Sequence, residues 1–145
     1  MKTLVIYDSN FGNTKIIAEE LARNIVGVSK AVSVGQFKDS DLDNLDLLIV
    51  GSPINGWRPT ESILKMLNSI KGKIQKGLMF TTFDTRIKVF YHGDAKDKLA
   101  NMLKASGAKL MSESQAFYVI GKDGPLVDGE LERAANWAKS IKSSK

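Results

Sequence analysis

Apolar and polar positions fall into two periods along this chain, and the periods alternate. Leu4-Val5-Ile6 is a continuous apolar run, so residues 3–7 read as a strand buried on both faces. Ile16, Ile17, Leu21 and Ile25 then recur at helical spacing, with Glu19, Glu20 and Arg23 between them. Residues 13–26 therefore read as an amphipathic helix, ended by Gly27. Residues 31–34 read as a short second strand at or beside a sheet edge, and Asp39–Leu42 as a polar turn. Residues 45–50 are apolar apart from Asp46 and read as a central parallel strand, stopping at Gly51-Ser52-Pro53. After a loop over 54–59, Thr60 is the expected N-cap of a helix to 70, with Ile63, Leu64, Leu67 and Ile70 inward.

Residues 78–82 read as a fourth strand, followed by a long loop over 83–93. A helix over 94–106 buries Leu99, Met102 and Leu103, and Gly107 stops it. Residues 109–119 contain a fifth strand, with a break expected around 112–114. A turn-rich stretch over 121–129 leads to a last helix over 131–141, with Trp137 and Ile141 inward.

Strands alternating with helices imply an α/β protein: a doubly wound, five-stranded parallel sheet with helices on both faces. Right-handed crossovers leave few topologies, and the expected strand order is 2-1-3-4-5. Ligands of such sheets bind at the carboxyl ends of strands one and three, where the winding reverses. No repeat or linker interrupts the pattern, so residues 1–145 are expected to form a single domain.

Composition narrows the chemistry. No cysteine is present, which rules out disulfides, thiolate catalysis and cysteine-held clusters. One histidine, His92, argues against a histidine-based metal site. The net charge is +5, yet the lysines are scattered apart from Lys71, Lys73, Lys76 and the tail Lys139, Lys142, Lys145. Neither group is interleaved with aromatics, so a solvated surface is favoured over a nucleic-acid site. The apolar run near Met1 is too short for a secretory signal, and no stretch approaches membrane-span length. A cytoplasmic protein with no membrane partner is expected.

Three loops on the carboxyl edge carry the candidate chemistry. The first is Ser9-Asn10-Phe11-Gly12-Asn13-Thr14, between strand and helix. Its amides, its hydroxyls and the helix N-terminus suit an anion, and Gly12 permits close backbone approach. An ordinary capped turn would carry the same residues. The second is Ser52-Pro53-Ile54-Asn55-Gly56-Trp57-Arg58-Pro59, where Asn-Gly favours a turn with positive φ. Trp57 could stack on a flat ligand or fold back on its own helix. The third runs from Thr81 to Gly93 and includes Thr82, Phe83, Asp84, Thr85, Arg86, Lys88, Phe90 and Tyr91. Its aromatics are too many for a purely solvated loop. A phospho-accepting receiver domain is set aside, because no aspartate follows strand three. A P-loop hydrolase is set aside for want of Gly-Lys-Ser/Thr.

Together the three loops, and the ending from Gly121-Lys122-Asp123-Gly124 to Trp137-Ala138, resemble the flavodoxin family of the short-chain type over essentially the whole chain. The resemblance implies non-covalently bound FMN. Ser9, Asn10, Asn13 and Thr14 would hold its phosphate, helped by the amides of Phe11 and Gly12. Pro53, Ile54, Asn55, Gly56 and Trp57 would form one side of the ring site, with Trp57 stacking. Thr82, Phe83, Asp84, Thr85 and Arg86 would line the other side or bond the ring's polar edge. Three departures stand out: Phe11 replaces a hydroxyl residue, Phe83 and Tyr91 compete for the second stacking position, and Arg86 and Lys88 bring cations where relatives are acidic. The function implied is one-electron transfer to or from redox protein partners by a monomeric carrier, rather than turnover of a specific substrate. Two alternatives are an FMN-dependent reductase of a small substrate such as a quinone, and a flavodoxin-fold module with weak or no FMN binding.

Overall fold

The polar–apolar alternation resolves into a parallel sheet sandwiched between two helical layers. In the computed structural model, which describes residues 1–88 and 93–141, the elements run β1 (Lys2–Tyr7), α1 (Asn13–Asn24), β2 (Val28–Ser33), a 3-10 turn (Asp39–Leu42), β3 (Leu47–Asn55), β4 (Arg58–Pro59), α2 (Glu61–Ile70), β5 (Met79–Ile87), α3 (Lys96–Ala105), β6 (Lys109–Leu110), β7 (Gln115–Val119) and α4 (Glu130–Ser140). β1 pairs in parallel with β2 on one side and β3 on the other, and β3 pairs in parallel with β5. β6 and β7 both lie in parallel along the outer side of β5. They are the two halves of the expected fifth strand, so the order 2-1-3-4-5 holds.

The gap between the halves has a side-chain cause. Thr81 Oγ1 donates to the carbonyl of Ser112 (2.8 Å) and the Thr82 hydroxyl meets the Ser114 hydroxyl (2.5 Å). Trp137 Nε1 donates to Ser112 Oγ (3.1 Å). Polar side chains thus take over where the backbone ladder stops.

Two clusters fill the layers. Leu48, Val50 and Phe80 face α2 and α3 through Ile63, Leu67, Leu99 and Leu103. Val5, Leu47, Ile49, Phe83 and Phe117 face α1 and α4 through Ile17, Leu21, Ala134 and Trp137. Alternation of Leu47, Leu48, Ile49 and Val50 between the two clusters is what a strand buried on both faces requires. Thr60 caps α2 as expected, accepting from the Ile63 amide (3.4 Å). Ile16, expected inward, is exposed instead, and Ala18 packs beside Ile17 and Leu21.

Two expected loops are strand. β3 continues past Val50 through Asn55 and folds back as β4, so the loop over 54–59 is a hairpin. β5 runs to Ile87 rather than stopping at 82, paired with β3 through Thr85 and with β7 through Ile87. The polar run Thr81-Thr82 and the charges Asp84 and Arg86 resemble a loop in sequence. In the fold those groups satisfy one another. β2 also begins earlier than expected, because the Val28 amide donates to the carbonyl of Met1 (2.9 Å) and starts the ladder.

Candidate functional site

The carboxyl edge of the sheet holds a cleft of about 440 Å³, where the connections leaving the paired strands β1 and β3 turn to α1 and α2 in opposite helical layers. The first loop forms one end. Gly12, at φ 93°, precedes α1 and has no side chain to cap it, while Ser9 Oγ reaches over the turn to accept from the Lys15 amide (3.4 Å). The Asn13 and Thr14 amides ahead of it have no intrahelical acceptor. Ser9 Oγ accepts from the Gly12 amide (3.0 Å), which curls the loop around the helix end, and Asp8 stays on its own loop by accepting from the Ser9 amide (2.9 Å). Ser9, Asn10, Phe11, Asn13 and Thr14 all line the cleft.

Side-chain bonds tie this loop to its neighbours. Asn10 Nδ2 donates to Asn55 Oδ1 (2.6 Å), and Asn13 Nδ2 donates to the carbonyl of Asp123 (3.2 Å). The buried hydroxyls of Thr14 and Thr85 share a bond of 2.8 Å. In that pair one proton bridges the two oxygens, and the accepting hydroxyl keeps its own proton to donate elsewhere.

Pro53, Ile54, Asn55, Gly56 and Trp57 form the second wall. The hairpin turn places Gly56 at φ 55° and Trp57 at φ 71°. Two successive left-handed residues match the right-handed twist of the flanking strands. The expected positive-φ position was the Asn-Gly pair; the turn is instead centred on Gly56-Trp57, because Asn55 still pairs with Arg58. Left-handed backbone is rare for so bulky a residue. The Asp94 amide (3.1 Å) and Lys98 Nζ (3.2 Å) both donate to the Trp57 carbonyl, and Gly93 packs so tightly against the Trp57 backbone that a side chain there would collide. The indole itself remains 59% exposed beside the cleft.

The third group splits. Thr85 and Arg86 line the cleft, but Thr82, Phe83 and Asp84 do not. Thr82 is buried, donating to the carbonyl of Lys96 (2.7 Å). Phe83 is buried against Gly51 and meets Phe117 edge-on, with ring centroids 6.0 Å apart. It cannot face a ligand, and its rival Tyr91 lies outside the described residues, as does His92. Asp84 is fully buried, holding Arg86 through both Nε (2.8 Å) and a terminal nitrogen, and accepting from the amides of Ala95 (3.3 Å) and Lys96 (2.9 Å). Gly12 also stays off the lining and contributes the shape of the loop.

Sequence reasoning missed Ile87, Val119 and Lys122, which line the cleft. Ile87 and Val119 are cross-strand partners. Continuing the strand to 87 would have placed Ile87 on the same side as Thr85, by the two-residue period.

Among the described residues the lining carries two cations, Arg86 and Lys122, and no carboxylate. Arg86 is not an isolated charge. Burial disfavours its cation, but the bonds and charges of Asp84 and Asp94 outweigh burial and raise its pKa. Lys88 lies over the Tyr118 ring (5.4 Å) rather than in the cleft. Among the described residues no group of three acidic, histidine or cysteine side chains is placed to hold a metal ion, and no helix is long and apolar enough to cross a membrane.

A doubly wound parallel sheet with an acid-free cleft at its switch point defines a ligand-binding domain of the flavodoxin-like class. The chain belongs to the flavodoxin family: the family's flavodoxin domain model matches residues 4–125. An uncharacterized protein of Methanocaldococcus jannaschii is 28% identical, over 97% of this chain and 98% of its own. Among solved structures, a flavodoxin from the domain Archaea superposes with a TM-score of 0.81 at 20% identity, covering 97% of this chain and 96% of that one. Flavodoxin 1 from Bacillus cereus gives 0.80 at 20% identity, covering 95% of each chain. The rubredoxin oxygen:oxidoreductase of Desulfovibrio gigas gives 0.79 at 21% identity; 97% of this chain matches 35% of that larger one. These likenesses establish the fold, and members of the family typically bind FMN.

Proposed function

We propose that this protein binds FMN in the cleft and serves as a one-electron carrier between redox proteins, acting as a cytoplasmic monomer. The observation that carries the reading is the pairing, within one cleft, of an acid-free anion cradle and an exposed tryptophan wall. The residues present fit the group. Ser9, Asn10, Asn13 and Thr14 line the cleft at the N-terminal end of α1, where backbone amides and the helix dipole favour a phosphate. Trp57, with Pro53, Ile54, Ile87 and Val119, offers apolar surface for a flat ring.

When bound, FMN supplies the redox chemistry, and the chain's residues bind it and tune it. The Thr14–Thr85 hydroxyl pair holds the anchoring end of the cleft to β5 and keeps one proton for donation. The Asn10–Asn55 bond sets the spacing between phosphate loop and ring wall. The left-handed turn at Gly56-Trp57, with the Trp57 carbonyl held by the Asp94 amide and Lys98 Nζ, would keep the second wall in place against a bound ring. Phe11 and Trp57, 52% and 59% exposed, leave the mouth of the cleft open to a partner surface.

Two measurements test the reading. The purified protein should carry a flavin absorbance spectrum, and the cofactor released on denaturation should be FMN at one per chain. Apoprotein should quench added FMN fluorescence at the same stoichiometry. A colourless protein that leaves FMN fluorescence unchanged would contradict it.

A further inference from the structure

Among the described residues, Lys122 lines the cleft without a salt bridge, whereas the other lining cation, Arg86, is paired with Asp84 and Asp94. We propose that Lys122 is the electrostatic anchor for the ligand's phosphate, and that it makes this cleft select a phosphate-bearing flavin over the same ring without phosphate. The proposal rests on the flavin reading above and assigns one of its specificity-determining residues.

Position comes first. Lys122 lies in the turn between β7 and α4, closed by the Gly124 amide donating to the Gly121 carbonyl (3.0 Å) and the Ile120 amide donating to Pro125 (2.9 Å). The turn is fastened to the first residue of α1. Asn13 Nδ2 donates to the Asp123 carbonyl, and Gly124 sits so close to the Asn13 carboxamide that a side chain there would collide. The residue before these two contacts therefore stands beside the phosphate loop, and Lys122 lines the same cleft.

Charge comes second. A phosphate monoester carries about −1.5 to −2 at neutral pH, while a helix N-terminus offers only about +0.5. Ser9, Asn10, Asn13 and Thr14 add neutral donors, not charge. Arg86 is already offset by Asp84 and Asp94. Among the described residues Lys122 has no hydrogen bond or ion pair, and no acid lines the cleft. Asp123 follows it in sequence but lies outside the lining. A flexible lysine on a fixed turn acts as a point charge that adapts to the anion.

FMN and riboflavin share one ring and differ at the phosphate, so their affinities separate this role from simple packing. Lys122→Gln should weaken FMN binding about fivefold at low salt, as expected for one exposed charge pair, and leave riboflavin affinity unchanged. The difference should fade toward ~1 M salt, where screening acts within a few ångströms. Lys122→Arg should retain most of the FMN affinity. Equal weakening of both ligands, or unaltered FMN affinity in Lys122→Gln, would overturn the proposal while leaving the flavin site standing. Wild-type protein that binds neither ligand overturns the flavin reading, and this one with it.

Discussion

Trp57 is the residue on which local strain and proposed function meet. Its left-handed backbone costs about 1–3 kcal/mol, and three contacts from the start of α3 hold it there. A side chain so exposed returns little of that energy by packing. Asparagine tolerates left-handed backbone, so Trp57→Asn should relieve strain while losing modest contact. The expected outcome is a folding stability within about 1 kcal/mol of wild type, with FMN affinity reduced about tenfold through loss of the stacking face. Urea unfolding and fluorescence titration separate the two effects. Asp84 should behave in the opposite way. It does not itself line the cleft but lies fully buried behind Arg86, which does, and accepts from two amides at the start of α3. Asp84→Ala leaves the guanidinium short of a partner and should cost about 3 kcal/mol in urea denaturation. In sequence these residues look alike, polar and aromatic groups in apparent loops. What separates them is burial, which composition cannot report.

At the scale of elements, the extension of β5 explains most of what sequence reasoning misjudged. Residues 83–87 alternate uncharged and charged, as a strand can, but Asp84 and Arg86 on a buried sheet read as polar loop. Their mutual ion pair is a local solution, two residues apart, that lets β5 continue beside β3 and β7. Gly51 completes the arrangement, because the Phe83 ring occupies the space where a Cβ would stand. Gly51→Ala should therefore destabilise the protein by about 1–3 kcal/mol, read from the denaturation midpoint, since a ring locked in the core has no room to yield. At α4, Glu130 accepts from the Tyr118 amide (2.8 Å) and from Arg133. Burial pushes its carboxyl up, but Arg133, the amide and Lys88 outweigh burial and hold the pKa below the ordinary 4.5. A lowered folded-state pKa stabilises fully above the unfolded value and is lost as pH falls through the folded one. Glu130→Gln should thus be less stable than wild type at neutral pH, with the gap closing below about pH 4.5.

For the whole molecule, strand order and layering were legible because they depend on period and on crossover handedness, both written locally in the chain. The break in the outer strand was legible too, through its serines. The end of the cleft formed by the first loop was also legible, since Ser9, Asn10, Phe11, Asn13 and Thr14 lie on a single turn and all line it. The opposite wall was not, because Ile87, Val119 and Lys122 converge from separate strands and loops. The net charge of +5 belongs to the same scale. Among the described residues, the cations other than Arg86 and Lys122 lie outside the cleft lining, so their field acts on what approaches the surface rather than within the cleft. The proposed role of this cleft is to make bound FMN a one-electron carrier. Anaerobic reductive titration of the FMN-loaded protein, followed by visible absorbance, decides it. Reduction in two resolved one-electron steps, at one flavin per chain, is the expected result. A single two-electron step, or a protein that takes up no FMN to reduce, would contradict it.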